Sequence, residues 1–130
     1  MVLVQKIPRA IIVDDDRDTV EVFCEYLRMI DVDVVGWGYN GKDASELYEK
    51  HRPDVAFVDL VMPEYDGFFA LEGIKGMDPG ASVVVLTANY TDDVRRKLWQ
   101  LSPKKILKKP FGTEQVAEII DEIRQSILVV

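Results

Sequence analysis

Four short apolar runs in this chain are each closely followed by a side chain that can bind metal, attack an electrophile or donate a hydrogen bond. The runs are Ala10–Val13, Asp54–Val58, Ser82–Leu86 and Lys105–Leu107, and the side chains that follow them are Asp14 and Asp15, Asp59, Thr87 and Lys109. Short apolar runs of this kind are typical of buried strands. The carboxyl ends of parallel strands meet at one edge of a sheet, so we expect these side chains to converge there.

Together these groups suit the transfer of a phosphoryl group to a carboxylate. Three carboxylates placed close together repel one another, and a divalent cation among them relieves that repulsion. Oxygen ligands favour Mg²⁺, which also binds phosphate oxygens. We expect Asp59 to act as the nucleophile that forms an aspartyl phosphate, while Asp14 and Asp15 hold the metal. The Lys109 ammonium and the Thr87 hydroxyl would bind the outer oxygens of the transferred group, which carry its negative charge.

The elements that must position these residues alternate along the chain. A fifth strand is predicted at Val32–Trp37, where β-branched residues are mixed with polar ones. Helical spacing of apolar residues predicts a helix after each strand: one capped by Asp16 with Val20, Phe23, Cys24 and Leu27 inward, then Gly41–His51, Phe68–Lys75, Thr91–Leu101 and Thr113–Ile127. Strict alternation predicts a doubly wound α/β fold, in which helices cover both faces of a parallel sheet.

Size and charge exclude several classes of protein. The chain has 130 residues, which is typical of one domain, and its net charge of −7 gives no general attraction to nucleic acid or to an anionic membrane. It contains no apolar run of about 18 residues, so we expect no membrane insertion. The single cysteine, Cys24, cannot form an internal disulfide, and the single histidine, His51, excludes a multi-histidine metal site within one chain. A reducing compartment, the cytoplasm, is therefore expected.

The motifs at the strand ends resemble the receiver domain of two-component response regulators, of the chemotaxis-receiver type. The resemblance lies in Val13-Asp14-Asp15, in Asp59 within Phe57–Pro63, in Asp66-Gly67, in Leu86-Thr87-Ala88 and in Lys109-Pro110-Phe111. It extends from about Arg9 to the last helix. It implies a flavodoxin-like fold whose five-stranded parallel sheet has the strand order 2-1-3-4-5. It also implies that residues 1–130 are a single receiver domain with a core of about residues 9–127.

The resemblance further implies a function. A sensor histidine kinase or a phosphotransfer protein would pass a phosphoryl group from a phosphohistidine to Asp59, with Mg²⁺ as cofactor. The metal ligands would be Asp14, Asp15, Asp59 and the backbone carbonyl of Val61, and Lys109–Pro110 would be a cis peptide, an isomer that is common only before proline. Such a domain is a regulatory phospho-acceptor rather than an enzyme, and at most it catalyses its own phosphorylation and dephosphorylation.

Three positions depart from the family pattern. Ile106 stands where the last strand of a receiver usually carries an aromatic residue or histidine, so we do not expect the ring movement that accompanies switching in many receivers. The segment Ser102–Lys105 stands where receivers often have a small, Gly- or Ala-rich turn, which predicts a stiffer and more basic face formed by the fourth helix, the fifth strand and the fifth helix. In the family this is the usual output face, so we expect an acidic partner or an unusual mode of dimerisation. Val61 offers only its carbonyl to a metal, and its apolar side chain would obstruct an attacking water.

The expected output is a change in partner binding. A downstream effector protein would dock on the phosphorylated domain, or the phosphoryl group would pass on to another histidine protein. Two copies could also pair through the last strand and helix. The final residues, 126–130, are apolar and are interpreted either as a dimer contact or as the point where a longer protein continues.

Two alternative functions remain at this point. The first is a pseudo-receiver, a binding module that is never phosphorylated, although the complete set of site residues argues against it. The second is a phosphatase of the haloacid-dehalogenase type, since Asp16–Val20 matches its short motif and Asp92-Asp93 resembles its metal pair.

Asp14 to Asp16 also suit a helix N-terminus, where acidic residues interact favourably with the helix dipole, and for Asp16 this is the favoured role.

Overall fold

Five parallel strands form the centre of the protein in a computed structural model that describes the backbone of residues 4–129 and the side chains of residues 6–127. The strands are β1 (Arg9–Val13), β2 (Asp33–Gly38), β3 (Val55–Asp59), β4 (Val83–Thr87) and β5 (Lys105–Lys108). Their order in the sheet is 2-1-3-4-5, and every neighbouring pair is parallel. The predicted doubly wound fold and its strand order are therefore confirmed.

Five helices cover the two faces of this sheet. They are α1 (Arg17–Met29), α2 (Gly41–His51), α3 (Gly67–Met77), α4 (Asp92–Trp99) and α5 (Thr113–Ser126). Alternate strand residues point to opposite faces, so each strand contributes to two separate cores. Ile12 and Phe57 pack with α1 and α5, whereas Ile11 and Val58 pack with α2, α3 and α4. Because both faces are covered, the central strands are apolar at nearly every position.

The predicted bounds of three helices need correction, and in α5 the difference is one residue, since the helix ends at Ser126 instead of Ile127. Helix α3 spans Gly67–Met77 and continues through Gly76, beyond the predicted end at Lys75. A single glycine inside a helix costs only about 1 kcal/mol, and tertiary packing offsets that cost. Helix α4 is shorter than the predicted Thr91–Leu101, because Thr91 is its N-cap and the chain turns at Ser102, where φ is 52°. The strand bounds differ from the predicted ones by one residue at several ends.

The structure also contains a second, small sheet that the sequence pattern does not predict. Val4–Gln5 pairs antiparallel with Leu128–Val129, so the backbone of the apolar C-terminal segment contacts the N-terminal segment of the same chain. The predicted dimer contact of residues 126–130 falls partly on Val130, which lies outside the described residues. None of the described helices combines the length and the apolar character that are needed to cross a bilayer.

Gly67, at the start of α3, lies directly against the backbone of the strand that carries Asp59. A Cβ added at Gly67 would come within 2.6 Å of the Leu60 Cα and 2.7 Å of the Asp59 carbonyl oxygen. At Gly76, in the last turn of the same helix, a Cβ would meet no atom within 4 Å. The two glycines therefore differ in what a methyl group would do to the fold.

We expect Gly67→Ala to lower the free energy of unfolding by about 1–3 kcal/mol, the usual cost of forcing extra atoms into a packed site. The matched variant Gly76→Ala should raise it by up to about 1 kcal/mol, because alanine has the higher helix propensity. Urea denaturation of both variants measures the difference. A Gly67→Ala protein as stable as the wild type would show that the close approach is not required.

Candidate functional site

Asp14 is the first residue after β1, and its backbone continues the pairing of the sheet. Its N–H donates to the carbonyl of Gly38 on β2 at 3.2 Å. The side chain turns inward and is only 2% exposed, while its Oδ1 accepts a hydrogen bond from the N–H of Asp16 at 2.9 Å. These contacts fix the carboxylate, whose Oδ2 lies 3.2 Å from Nζ of Lys109.

Asp59 is the last residue of β3 and is also buried, with 5% of its surface exposed. The chain beyond it is held on both sides: the N–H of Leu60 donates to the carbonyl of Leu86 on β4, and the N–H of Gly67 donates to the carbonyl of Leu60, both at 2.8 Å. Asp66 caps α3 by accepting a hydrogen bond from the N–H of Phe69. The loop that follows Asp59 is therefore anchored at its start and at its end.

Lys109 joins the two buried carboxylates. Its Nζ lies 2.8 Å from Oδ1 of Asp59 and 3.2 Å from Oδ2 of Asp14. Its backbone N–H donates to the carbonyl of Thr87 at 2.8 Å, which places the side chain at the edge of the sheet. The Lys109–Pro110 peptide is cis, so this prediction is confirmed. One ammonium thus neutralises part of the charge of two carboxylates that would otherwise repel each other.

Thr87 ends β4 and is 1% exposed. Its Oγ1 donates to the backbone carbonyl of Asn89 and accepts from the backbone N–H of the same residue, each at 3.0 Å. The hydroxyl therefore closes a small turn at the start of the loop between β4 and α4. The sequence pattern predicts Thr87 as a site residue but does not indicate Asn89, because Asn89 contributes backbone atoms and its residue type carries no signal.

Burial and charge act in opposite directions on the ionisable groups of the site. Burial raises the pKa of the Asp59 carboxyl, the Asp14 charge raises it further, and the hydrogen bond from Lys109 opposes both. Burial alone would lower the pKa of Lys109, but its contacts with Asp59 and Asp14 outweigh burial and raise it. Because its folded pKa is raised, the contribution of Asp59 to stability is present below its unfolded pKa and is lost as pH rises through its folded pKa. A cation bound to the ionised carboxylate would restore the stability that is lost.

The donor set at this edge fits a hard divalent cation. Among the described residues, Asp14, Asp15 and Asp59 form an acidic group in which one carboxylate oxygen from each lies within 4.8 Å of the others. Two of these carboxylates are buried and the third, Asp15, is exposed. All three donors are oxygens, which is the chemistry that Mg²⁺ prefers. The Val61 side chain is exposed and apolar, so only the carbonyl of that residue can contribute.

The other acidic residues considered from the sequence lie apart from this group. Asp16 is the N-cap of α1 and accepts hydrogen bonds from the N–H of Asp18 and the hydroxyl of Thr19. Asp92 and Asp93 lie exposed in the first turn of α4, where they form ion pairs with arginines one turn further along. These residues cap or stabilise helices.

The fold, the strand order and the cis Lys109–Pro110 peptide that the sequence resemblance implied are present in the structure, and comparisons with known proteins agree on the family and the fold. The model of the response regulator receiver domain matches residues 10–121. The chemotaxis protein CheY of Bacillus subtilis is 32% identical over 114 residues, which span 88% of this chain and 95% of CheY.

Solved structures of the same fold are also similar. The receiver domain of the response regulator NarL from Mycobacterium tuberculosis is 27% identical, with a TM-score of 0.82 and coverage of 91% of this chain and 97% of that one. One chain from the structure of the complex of CheX and CheY with beryllofluoride and magnesium from Borrelia burgdorferi is 23% identical to this chain. Its TM-score is 0.83, and 90% of each chain is covered. The first supports the family and the second supports the fold.

We expect Lys109→Met to destabilise the protein in Mg²⁺-free buffer, because the substitution leaves two buried carboxylates without their shared cation. The loss should be on the order of 2 kcal/mol, less than the ~3–5 kcal/mol of a fully buried pair, since the Lys109 side chain is 31% exposed. Added Mg²⁺ should restore more stability to this variant than to the wild type. Thermal unfolding with and without Mg²⁺ measures both effects.

Lys108→Met is the matched control, since Lys108 is exposed and lies over the ring of Tyr90 instead of in the site. If the two variants are equally stable without Mg²⁺, Lys109 is not the charge that holds the carboxylates together.

Proposed function

The chain belongs to the response regulator receiver domain family, and we propose that it is a signalling switch that accepts a phosphoryl group on Asp59. The observation that carries the proposal is the position of the Asp59 carboxylate. It is buried at the end of β3, 2.8 Å from the Lys109 ammonium and close to the carboxylates of Asp14 and Asp15. A carboxylate in such a place can act as a nucleophile toward a phosphoryl group.

In the proposed reaction, an oxygen of Asp59 forms a bond to phosphorus while the bond from phosphorus to the donor breaks. The donor is a phosphohistidine of a sensor histidine kinase or a phosphotransfer protein, and the electron pair of the broken bond goes to the imidazole nitrogen. The ammonium of Lys109 supports the ionised form of Asp59 against the effect of burial. No general base is required, because the attacking group carries no proton.

Lys109 and Thr87 have separate roles after transfer. Lys109 already contacts a carboxylate oxygen of Asp59, so it can bind an outer phosphoryl oxygen with a short movement. The hydroxyl of Thr87 is occupied by the backbone of Asn89 and must leave the Asn89 carbonyl in order to donate to the phosphoryl group. Binding of the phosphoryl group therefore competes directly with the turn that begins the β4–α4 loop. A loop with two arrangements, biased by one new hydrogen bond, is sufficient for a switch.

The cofactor of this proposal is Mg²⁺. Asp14, Asp15 and Asp59, with the backbone carbonyl of Val61, would hold it. When bound, the cation would neutralise negative charge on the carboxylates and on the oxygens of the transferred group. The support for this assignment is the oxygen-only donor set and the closeness of the three carboxylates.

The two alternative functions are less well supported. A pseudo-receiver does not need an ammonium shared by two buried carboxylates, yet this chain has one. The phosphatase reading depends on Asp16 and on Asp92-Asp93, and these residues cap α1 and form ion pairs on α4 instead of joining the site. The domain would act as a regulatory phospho-acceptor, with at most its own phosphorylation and dephosphorylation as catalysis.

The proposed partners are the phosphodonor protein and a downstream effector, and the proposed location is the cytoplasm. Cys24 is buried and free, as expected in a reducing compartment. The second proposed form of output is a homodimer that pairs through β5 and α5. It is supported by the position of β5, which pairs only with β4 within the described sheet and has its other edge free.

The first prediction of this proposal concerns the acceptor. With acetyl phosphate and Mg²⁺, we expect the wild-type protein to gain the mass of one phosphoryl group and Asp59→Asn to gain none, because an amide is not a nucleophile toward phosphorus. Asp31→Asn is the matched control, since Asp31 is exposed and its positive φ of 61° suits asparagine. Intact-mass spectrometry measures the fraction modified, and phosphate uptake by Asp59→Asn at the wild-type rate would exclude Asp59 as acceptor.

The second prediction concerns the switch. Beryllofluoride, a phosphate analogue, should change the amide chemical shifts of the β4–α4 loop and of β5 when it is added together with Mg²⁺. Thr87→Ala should lose most of this response, whereas Thr87→Ser, which keeps the hydroxyl, should retain it. Ile106→Ala should keep the response and lose stability, because Ile106 packs against the core beside α4. A full response in Thr87→Ala, or none in a folded Ile106→Ala, would contradict this account.

A further inference from the structure

Helix α2 supplies no side chain to the site, yet its first residue is bonded to the loop that follows Asp59. We name residues 60–66, which join β3 to α3, the β3–α3 loop. The loop contains Val61, whose backbone carbonyl is the proposed fourth ligand of the metal. The N–H of Gly41, at the start of α2, donates to the carbonyl of Tyr65 in this loop at 2.6 Å. A helix outside the site therefore contacts a segment that belongs to it.

The inner end of the β3–α3 loop is fixed without Gly41. The N–H of Leu60 is bonded to β4, its carbonyl accepts from Gly67, and the side chains of Leu60 and Met62 are buried. These contacts anchor the side chains that flank Val61. The direction of the Val61 carbonyl depends as well on the backbone that continues beyond Met62, because a peptide plane can rotate between two fixed side chains.

The outer part of the loop, residues 63–65, is exposed and forms a tight turn. The N–H of Tyr65 donates to the carbonyl of Pro63 at 2.9 Å, and Glu64 has a φ of 71°. The proline ring fixes φ at Pro63, so a displacement of Tyr65 is passed back toward Met62. Within the described part of the chain, the hydrogen bond from Gly41 is the one that joins this turn to another element.

Gly41 is required at this contact by its size. A Cβ there would overlap the carbonyl oxygen of Asp66 and would lie 2.9 Å from that of Tyr65. Both oxygens belong to the backbone, so no side chain can turn away to make room. None of the described glycines has a positive φ, so alanine can also adopt the backbone conformation of Gly41. The missing side chain therefore serves the close approach of α2 to the loop.

The start of α2 is a firm support for this contact. The side chain of Asn40 caps the helix by accepting a hydrogen bond from the N–H of Asp43, and the Asp43 carboxylate accepts one from the N–H of Tyr39, both at 2.9 Å. Reciprocal capping bonds of this kind fix the first turn of a helix to the chain that enters it. Gly41 therefore holds the loop from a point that is tied to the end of β2.

We propose that Gly41 is a positioning residue of the metal site, because its N–H and its lack of a side chain set the direction of the Val61 carbonyl through the β3–α3 loop. Mg²⁺ requires nearly ideal octahedral geometry, so a small rotation of one oxygen ligand weakens its binding. Ca²⁺ accepts irregular geometry and is less sensitive to such a rotation. The proposal rests on the proposed function, in which these residues hold Mg²⁺.

A purely structural role for Gly41 makes a different prediction. If Gly41 only allowed α2 to pack against α3, any crowding between these helices would have the same effect on the site. Gly73 of α3 provides the comparison, because a Cβ there would lie 2.6 Å from the hydroxyl oxygen of Ser45 on α2. Gly73→Ala thus crowds the same pair of helices at a point outside the β3–α3 loop.

The experiment titrates the full, unphosphorylated chain with Mg²⁺ and separately with Ca²⁺, and follows the amide chemical shifts of Asp14, Asp15 and Asp59. These shifts report the folded protein, so a loss of stability does not by itself change the Kd. Gly41→Ala should weaken Mg²⁺ binding roughly tenfold, the lower end of what is usual when a group that orients a metal ligand is lost. Its affinity for Ca²⁺ should fall less. Gly73→Ala should leave both affinities unchanged.

Two further measurements support the titration. Without metal, Gly41→Ala should shift the amide signals of residues 61–66, whereas Gly73→Ala should leave them unchanged. If Gly41→Ala does not fold, Asn40→Ala replaces it, because this variant adds no atoms and removes one capping bond. Asn40→Ala should weaken the binding of Mg²⁺ more than that of Ca²⁺. Asn40→Ser, whose hydroxyl can accept the same hydrogen bond, should keep the wild-type affinities.

The proposal is wrong if Gly41→Ala folds and binds Mg²⁺ as tightly as Gly73→Ala, or if it loses Mg²⁺ and Ca²⁺ affinity to the same extent. Where Gly41→Ala does not fold, wild-type Mg²⁺ affinity in Asn40→Ala would be equally decisive. A wild-type protein that binds no Mg²⁺ would overturn both this proposal and the cofactor of the proposed function. Mg²⁺ binding by the wild type with no effect of Gly41→Ala would overturn this proposal alone.

Discussion

The arrangement of this protein depends on one ammonium shared by two buried carboxylates. Lys109 lies within 3.2 Å of both Asp14 and Asp59, which come from different strands and which would repel each other without it. Burial makes that repulsion stronger than it would be in water. The charge that remains is negative, because three carboxylates lie near one ammonium, so the site favours a cation. A bound cation would in turn offset the negative charge of a phosphoryl group.

Much of this arrangement could be predicted from the sequence, because it follows from the ends of strands. Asp14, Asp59, Thr87 and Lys109 each lie at the carboxyl end of a strand, and parallel strands bring those ends to one edge. What could not be predicted depends on backbone geometry. Three features involve main-chain atoms, which leave no pattern of residue types in the sequence. They are the hydrogen bonds between Thr87 and Asn89, the close approach of Gly67 to Asp59, and the pairing of Val4–Gln5 with Leu128–Val129.

The same strand ends connect the site with the outer surface. Thr87 is paired in register with Lys108, so β4 and β5 carry a site residue and a surface residue side by side. Ile106 lacks the ring that many receivers carry at this position. An aromatic side chain near β5 is that of Tyr90, which follows Asn89 in the loop whose first turn the Thr87 hydroxyl closes. In the proposed switch, a change at Thr87 would reach α4 and β5 through this loop, without a ring movement within β5.

The central claim is that the phosphoryl group is carried by the carboxylate of Asp59. The most direct test is to phosphorylate the wild-type protein, reduce it with borohydride, which converts an aspartyl phosphate into homoserine, and map the change by peptide mass spectrometry. The account predicts homoserine at position 59 and unchanged aspartate at positions 14 and 15. Homoserine at either of those positions, or phosphate retained on a hydroxyl or imidazole after reduction, would contradict it.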